Sequence, residues 1–415
     1  MSYQTHYLSN GIPVHIKTIP TSFKVCMDIL VAAGSWRDPV QKQGLAHFLE
    51  HMMFRGTKKR GYRQISLDTL KIGGYLNAFT ERDATTYTLD VPYRQTQQAL
   101  DILLDLFLES TFPEDGVEKE RTIILEEIDM YNDIPTEYLM DRFMENLFEG
   151  HCLGIPILGT KESVNTITRE DIIHFYEQWY YDASLTISIA GRVEPQEILP
   201  ILEERLGKRE VRKNRTFLPT NISNKKHTAR YQREVDQGQL IMGVVAPGLE
   251  DPDRLAIQVM NAILGGNEIS RLYQIIREDQ GLAYAVDTAH DAWLGAGCFY
   301  VSVGLDSRKI DQVEKIILQE WERMKAELVS DEELLVAKNS LEGSKIMELE
   351  GAGAYSSHIG AMTVRGLPAD PEVELEMLQK VTASDVMRIA RKVLDTENYV
   401  LTALLPKRST RRSCQ

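Results

Sequence analysis

Apolar positions recur along the chain in two rhythms. Unbroken or every-second-residue apolar runs predict strands at GIPVHIK (11–17), KVCMDILVAAGS (24–35), YLNAFT (75–80), ATTYTLDV (84–91) and SLTISIAG (184–191). Three-to-four spacing predicts helices over 41–54, 62–72, 93–109, 115–131, 136–149 and 195–206. Gly73–Gly74 stops the second helix, and the charged turn Glu81–Asp83 joins the strand pair 75–91.

The second half repeats this order. GQLIMGVVAPG (238–248) matches the long strand at 24–35, and Asp251–Pro252 echoes Asp38–Pro39 with a helix after each. GLAYAVDTAHD (281–291) and GCFYVSVGLD (297–306) match the strand pair. Helices follow at 308–328, 331–349, 353–365 and 382–393, and YVLTALL (399–405) is the last strand. A repeat of about 210 residues means two homologous domains rather than a solenoid. The expected fold is α+β: two domains, each a mostly antiparallel sheet with helices on one face. The expected boundaries are a first, metal-binding domain at 1–210, a Lys/Arg/Asn/Thr-rich linker at 211–230, a second domain at 231–406 and a flexible basic tail at 407–415.

Composition narrows the class. The chain has 415 residues, 43% hydrophobic and 26% charged, as an ordinary globular protein has. A net charge of −14 argues against nucleic-acid binding. No apolar run reaches the ~18 residues of a membrane helix, and the N-terminus lacks the apolar core of a secretory signal. Cys26, Cys152, Cys298 and Cys414 are scattered, which fits a reducing cytoplasm and gives no cysteine metal site. Residues 114–149 hold twelve Asp/Glu against three Lys/Arg, a surplus able to attract basic peptides or merely to solvate a helical face.

The chemistry concentrates in AHFLEHMMFRGT (46–57). His47 and His51, four apart on a helix, aim their imidazoles at one point, as two zinc ligands do. Glu50 reaches the edge of the same site, where a general base belongs. H-x-x-E-H reverses the commoner H-E-x-x-H and keeps its parts. In an overlay on the two Asp-Pro pairs, His47, Glu50 and His51 fall on Met260, Ile263 and Leu264, so the chemistry is expected in the first half. The third ligand should come from another element. In the helix DGVEKERTIILEEIDMYND, Val117, Ile124, Ile128 and Tyr131 form an apolar stripe, and Glu120 and Glu127 lie on it. A carboxylate facing a core needs a partner or a metal. Glu127 is therefore the favoured third ligand, with Glu126 the alternative, and Glu120 is positioned to orient a ligand histidine.

At these residues the chain resembles the pitrilysin-type (inverzincin, M16-like) zinc peptidases in their small two-domain bacterial form, and among them the mitochondrial processing peptidase β-subunit. The likeness spans nearly the whole chain. It rests on GLAHFLEHMMFRGT, GGYLNAFTERDATTY, EKERTIILEEIDMYNDIP, GIPILGT and RLYQIIREDQGLAYAV, in the family's order and spacing. The resemblance implies one Zn2+ per chain on His47, His51 and Glu127. It implies that Asn77 and Ala78 on an edge strand contact substrate backbone by strand addition. It also implies that Arg277 and Tyr284 act on a substrate carbonyl or oxyanion from the half opposite the zinc, so that two chains form a clamshell. Both motifs are kept here, which favours a homodimer over a heterodimer with a related chain.

The expected function is a cytoplasmic zinc endopeptidase cleaving short or extended peptides inside a closed dimeric chamber, with no nucleic-acid or membrane partner. The competing reading is a non-catalytic or maturation-specific subunit working with a second pitrilysin-like chain.

Overall fold

The computed structural model describes residues 3–180, 185–211 and 222–407. Its strands are β1 (Gln4–Tyr7), β2 (Pro13–Thr18), β3 (Lys24–Val31), β4 (Tyr75–Thr80), β5 (Thr85–Pro92), β6 (Leu185–Gly191), β7 (His227–Arg233), β8 (Gly238–Ala246), β9 (Ala283–Ala292), β10 (Gly297–Leu305) and β11 (Val400–Pro406). Helices in the first half are α1 (Leu45–Met53), α2 (Tyr62–Lys71), α3 (Thr96–Glu109), α4 (Glu114–Asp133), α5 (Pro135–Leu147), α6 (Lys161–Thr166), α7 (Arg169–Trp179) and α8 (Pro195–Leu206). Those in the second are α9 (Arg254–Leu264), α10 (Arg271–Tyr273), α11 (Ile310–Ala326), α12 (Asp331–Leu349), α13 (Ala352–Val364), α14 (Pro371–Gln379) and α15 (Ala383–Val393). The architecture is α+β with two sheets.

Two compact units form. The first comprises Met1–Asp129, Pro156–Thr216 and Lys345–Glu374; the second comprises Met130–Ile155, Phe217–Ser344 and Leu375–Gln415. Neither is a single stretch of chain. Residues from the second half complete the first unit, and residues from the first half complete the second.

In the first unit the strand order is β1-β2-β6-β3-β5-β4, antiparallel except for the parallel pair β2/β6. On one face Val25, Met27, Ile29 and Val31 of β3 join the core with α1, α3 and α7. The opposite face carries α13, with Cys26 and Ala190 against Ala352 and Leu30 against Val364. Burial on both faces explains why β3 is apolar at successive positions apart from the buried Asp28, and why the residues that alternate with Leu185, Ile187 and Ile189 in β6 are the small, buried Thr186, Ser188 and Ala190.

In the second unit the order is β7-β11-β8-β10-β9, with β7/β11 the one parallel pair. Leu240, Met242 and Val244 face the larger core with α9, α11 and α15, while α5 lays Leu139, Phe143 and Leu147 on the other face beside Ile241 and Cys298. Thus, among the described residues, each sheet has several helices on one face and a single helix on the other.

The stretch expected to be a linker differs in part. His227–Arg233 is an edge strand whose side chains alternate between exposed and half-buried, so its composition reads as a polar loop while its backbone pairs with β11. Residues 212–221 of that stretch and 408–415 of the predicted tail lie outside the described residues. The short edge strand β1 and the helix α6 were not legible from apolar spacing; α7 was not predicted although Ile172, Phe175, Tyr176 and Trp179 carry a helical period. Among the described residues, no helix is long and apolar enough to cross a membrane.

Candidate metal centre

The candidate site begins with how α1 is started. Gly44 sits at φ +88° and precedes the helix. Its N–H donates to Asp38 Oδ2 at 2.7 Å, and that of Ala46 donates to Asp38 Oδ1 at 2.9 Å. Asp38 thus satisfies donors that the first turn leaves open. A side chain at Gly44 would run into the Leu158 carbonyl, so the turn of GIPILGT packs directly against the entry to α1. The helix then buries Leu45, Ala46, Phe48, Leu49, Met52 and Met53. Each such large apolar side chain contributes about 1.5–3 kcal/mol by leaving water. That packing holds the polar strip His47–Glu50–His51 in one orientation.

The stripe argument for α4 matches the structure. Val117, Glu120, Ile124 and Ile128 are buried, Glu127 is half-buried, and Glu126 is exposed. His47, His51 and Glu127 each offer a ligand atom, and these atoms lie within 4.8 Å of one another. Glu127 Oε2 stands 3.8 Å from His47 Nε2 and 3.6 Å from His51 Nε2. A tetrahedral zinc ion with bonds near 2.0–2.1 Å needs ligand atoms about 3.3 Å apart, a spacing that the Glu127 oxygen approaches from both histidines. The rings of His47 and His51 meet edge-on at 4.6 Å between centroids. The His51 Nδ1 atom is 2.7 Å from Glu120 Oε2, which leaves Nε2 directed at the cluster. Glu120 Oε1 is ion-paired with Arg55.

Burial sets the electrostatics. It pulls the His47 imidazole down to about 3, with the neighbouring His51 acting in the same direction. Burial also lowers His51, against the opposing pull of Glu50 and Glu127. Both rings are held neutral, the form that donates a lone pair to a metal. Burial raises Glu127 and Glu50 above the usual carboxylate range. Glu50 is 8% exposed, and the Thr80 hydroxyl donates to its Oε2 at 2.5 Å.

Asn77 and Ala78 lie on β4, the terminal strand of its sheet. They pair with Thr88 and Tyr87 of β5 on one side, and no strand of the sheet lies on the other. Between α1, α2, α4 and β4 opens a cavity of about 580 Å³, lined by Glu50, His51, Phe54, Tyr62, Tyr75 and Asn77 among others.

The other two expected site residues, Arg277 and Tyr284, belong to the second unit. Each sits on a backbone irregularity. Arg277 lies in the π-helical turn Gln274–Asp279 that continues α10, with its guanidinium 4.9 Å from the Tyr273 ring. Tyr284 is the extra residue of a bulge in β9: Ala285 pairs with Gly304 and Ala283 with Leu305. Its ring lies across Gly304, where a side chain would collide with it. Bulges of both kinds re-aim a side chain at the expense of regular pairing. Both side chains are exposed.

Three residues of this constellation escaped sequence reasoning: Asp38 as helix cap, Arg55 and Thr80. Arg55 lies in the turn just after α1, where helical spacing gives it no face, so the sequence carried no signal for its pairing with Glu120. Thr80 ends a strand, and no periodicity marks its hydroxyl.

The chain is similar to known proteins along most of its length. Residues 14–161 match the family described as Insulinase (Peptidase family M16), and residues 166–341 match the Peptidase M16 inactive domain. An uncharacterized zinc protease of Mycobacterium leprae is 31% identical over 94% of this chain and 88% of its own. One of Bacillus subtilis is 29% identical over 96% and 97%. Among solved structures, a protease from Helicobacter pylori superposes with a TM-score of 0.90 at 20% identity, covering 98% of this chain and 99% of that one. A peptidase M16 inactive domain from Pseudomonas fluorescens also gives 0.90, at 19% identity and 98% of each chain. These two likenesses speak to the fold.

Proposed function

The chain belongs to the M16 peptidase family, and from that premise we propose that it is a zinc-dependent endopeptidase acting on short or extended peptides. The convergence of His47, His51 and Glu127 on a common point carries the reading. When bound, a zinc ion supplies Lewis-acid polarisation of the scissile carbonyl and acidifies water. Everything else falls to the chain's own groups. Glu50 takes a proton from the attacking water and passes it to the leaving amine, a task its burial-raised carboxyl suits. Glu120 and Arg55 hold the His51 ring in orientation. The free edge of β4 at Asn77 and Ala78 takes an extended peptide by main-chain hydrogen bonds, with little regard to side chains.

Arg277 and Tyr284 donate to the substrate carbonyl or developing oxyanion, and in the proposed homodimer they come from the partner. Among the described residues Cys26, Cys152 and Cys298 form no disulfide, in keeping with the cytoplasm as the compartment.

The test combines metal analysis with cleavage of a fluorogenic peptide. Wild type is expected to hold about one zinc per chain and to turn over. Glu50→Gln is expected to keep the zinc and lose at least about 10²-fold in kcat, the scale of a missing general base. A cleaving Glu50→Gln protein overturns the role given to that residue. The second reading, a non-catalytic subunit, draws on the match of residues 166–341 to a domain named inactive. Zinc without turnover in the isolated wild type would favour it.

A further inference from the structure

The turn between β4 and β5 is held from three directions. The Glu81 N–H donates to the Ala84 carbonyl at 2.8 Å and closes the turn on itself. The N–H groups of Ser35 and Trp36 donate to the carbonyls of Glu81 and Arg82 at 3.0 and 2.9 Å. The two carboxylates of the turn meet one guanidinium, that of Arg365 just after α13. Arg365 Nε donates to Asp83 Oδ2 at 2.9 Å, and Nη2 donates to Asp83 Oδ1 at 2.5 Å and Glu81 Oε2 at 2.7 Å. Its Nη1 donates to the Ala361 carbonyl at 3.1 Å, which ties the fork to its own helix. The side chain of Arg365 is 7% exposed and that of Asp83 is 0% exposed.

A buried, bidentate Arg–carboxylate pair fixes distance and angle together, because the guanidinium is a rigid planar fork. Removing the cation leaves Asp83 buried without a counter-charge and Glu81 repelled by it. The turn must then open or rotate. Thr80, the residue immediately before it, is the one whose hydroxyl holds Glu50 Oε2. Its backbone is paired with Thr85 at the other end of the same turn, and the Thr85 hydroxyl is bonded to the Ala33 carbonyl. A continuous set of short, directional contacts therefore runs from Arg365 through Asp83 and Glu81 to Thr80 and Glu50, all within the first unit.

We infer that Arg365 is a positioning residue for the Glu50 carboxylate, acting through the β4–β5 turn and the Thr80 hydroxyl. It touches neither substrate nor metal ligands. It comes from a segment contributed by the second half of the chain, so that half supplies orientation to the reacting groups of the first. The inference rests on the peptidase reading above.

The experiment compares wild type with Thr80→Val, Thr80→Ser, Arg365→Met and Arg365→Lys, measuring zinc content, kcat and KM on a fluorogenic peptide, and hydrogen exchange over residues 75–85. Zinc is expected to stay at the wild-type level in all five, since His47, His51 and Glu127 are untouched. Arg365→Met should lower kcat by about 10–100-fold with KM within about 3-fold, the effect of an ångström-scale misplacement of a reacting group. Exchange of the turn amides should rise with it. Thr80→Val should reproduce the kcat loss, and Thr80→Ser, which keeps the hydroxyl, should restore most of it. Arg365→Lys keeps the charge without the fork and should fall between. The double variant Thr80→Val/Arg365→Met should be no slower than its worse single, because both act along one path.

Full kcat in Arg365→Met despite a loosened turn overturns the inference, as does a loss confined to KM or one that tracks lost zinc. If Arg365→Met does not fold, Arg365→Lys and the two Thr80 variants decide by the same criteria. A wild type that holds zinc and cleaves nothing sinks the peptidase reading and this inference with it. A cleaving wild type with indifferent variants sinks the inference alone.

Discussion

Glu120 serves two neighbours with its two oxygens, His51 Nδ1 at 2.7 Å and the Arg55 guanidinium. It is buried, so neither partner is readily replaced by water. Glu120→Ala should free the His51 ring to rotate and weaken zinc binding by about 10–100-fold, with Arg55→Met weaker in the same direction. Competition with a chromogenic chelator measures both, and wild-type affinity in Glu120→Ala would remove it from this role. Backbone conformation at Gly44 matters for a different reason. A Gly44→Ala change meets both a φ of +88° and the Leu158 carbonyl, and it should cost about 1–3 kcal/mol in urea unfolding. Unchanged stability there would mean that the entry to α1 relaxes without strain.

At the scale of elements, the segment carrying Arg277 is anchored at its start. Arg271 on α10 donates from Nε to Glu333 Oε1 at 2.6 Å and from Nη2 to Oε2 at 3.1 Å, so α12 fixes the helix that leads into the π-helical turn. The hydrogen bonds from Arg271 hold the Glu333 carboxyl down at about 2 against an ordinary 4.5. A carboxyl depressed in the folded state stabilises it fully above the ordinary value and loses that contribution as pH falls towards 2. The Glu333 side chain is partly open to solvent, which reduces the effect. Glu333→Gln should therefore cost about 1–2 kcal/mol at pH 7. The gap from wild type should narrow as unfolding is repeated from pH 5 downward. A gap independent of pH would assign the loss to packing instead of charge.

For the whole molecule, the proposed dimer makes a prediction that a self-sufficient chain does not. Glu50→Gln lacks the base, and Tyr284→Phe lacks a donor from the second unit. If each zinc works with the partner's Tyr284, a mixed dimer has one intact site. An equimolar mixture after subunit exchange should then recover about a quarter of the wild-type sites, since half the dimers are mixed and one site in each is whole. Two inactive parents that stay inactive after demonstrated exchange would confine the site to one chain.

The sequence by itself determined the local chemistry. The four-residue spacing of His47 and His51 puts both rings on one helical face whatever the surroundings, and the stripe Val117–Glu120–Ile124–Glu127–Ile128 selects Glu127 over Glu126 because the period of a helix is fixed by its backbone. The apolar positions of β3 and β6 likewise marked two strands, while their burial on both faces came from the fold. Tertiary structure alone decided which segments complete which unit. Residues 130–155 cover the second sheet and 345–374 the first, an exchange that leaves no trace in local periodicity because α5 and α13 have ordinary helical sequences. It also decided the partners of Asp83 and Thr80. A charged residue in a turn reads as solvated, and only the fold brings Arg365, 282 positions later, close enough to bury it. Spacing along the chain encodes neighbours within an element, whereas contacts between distant elements are set by how whole faces pack.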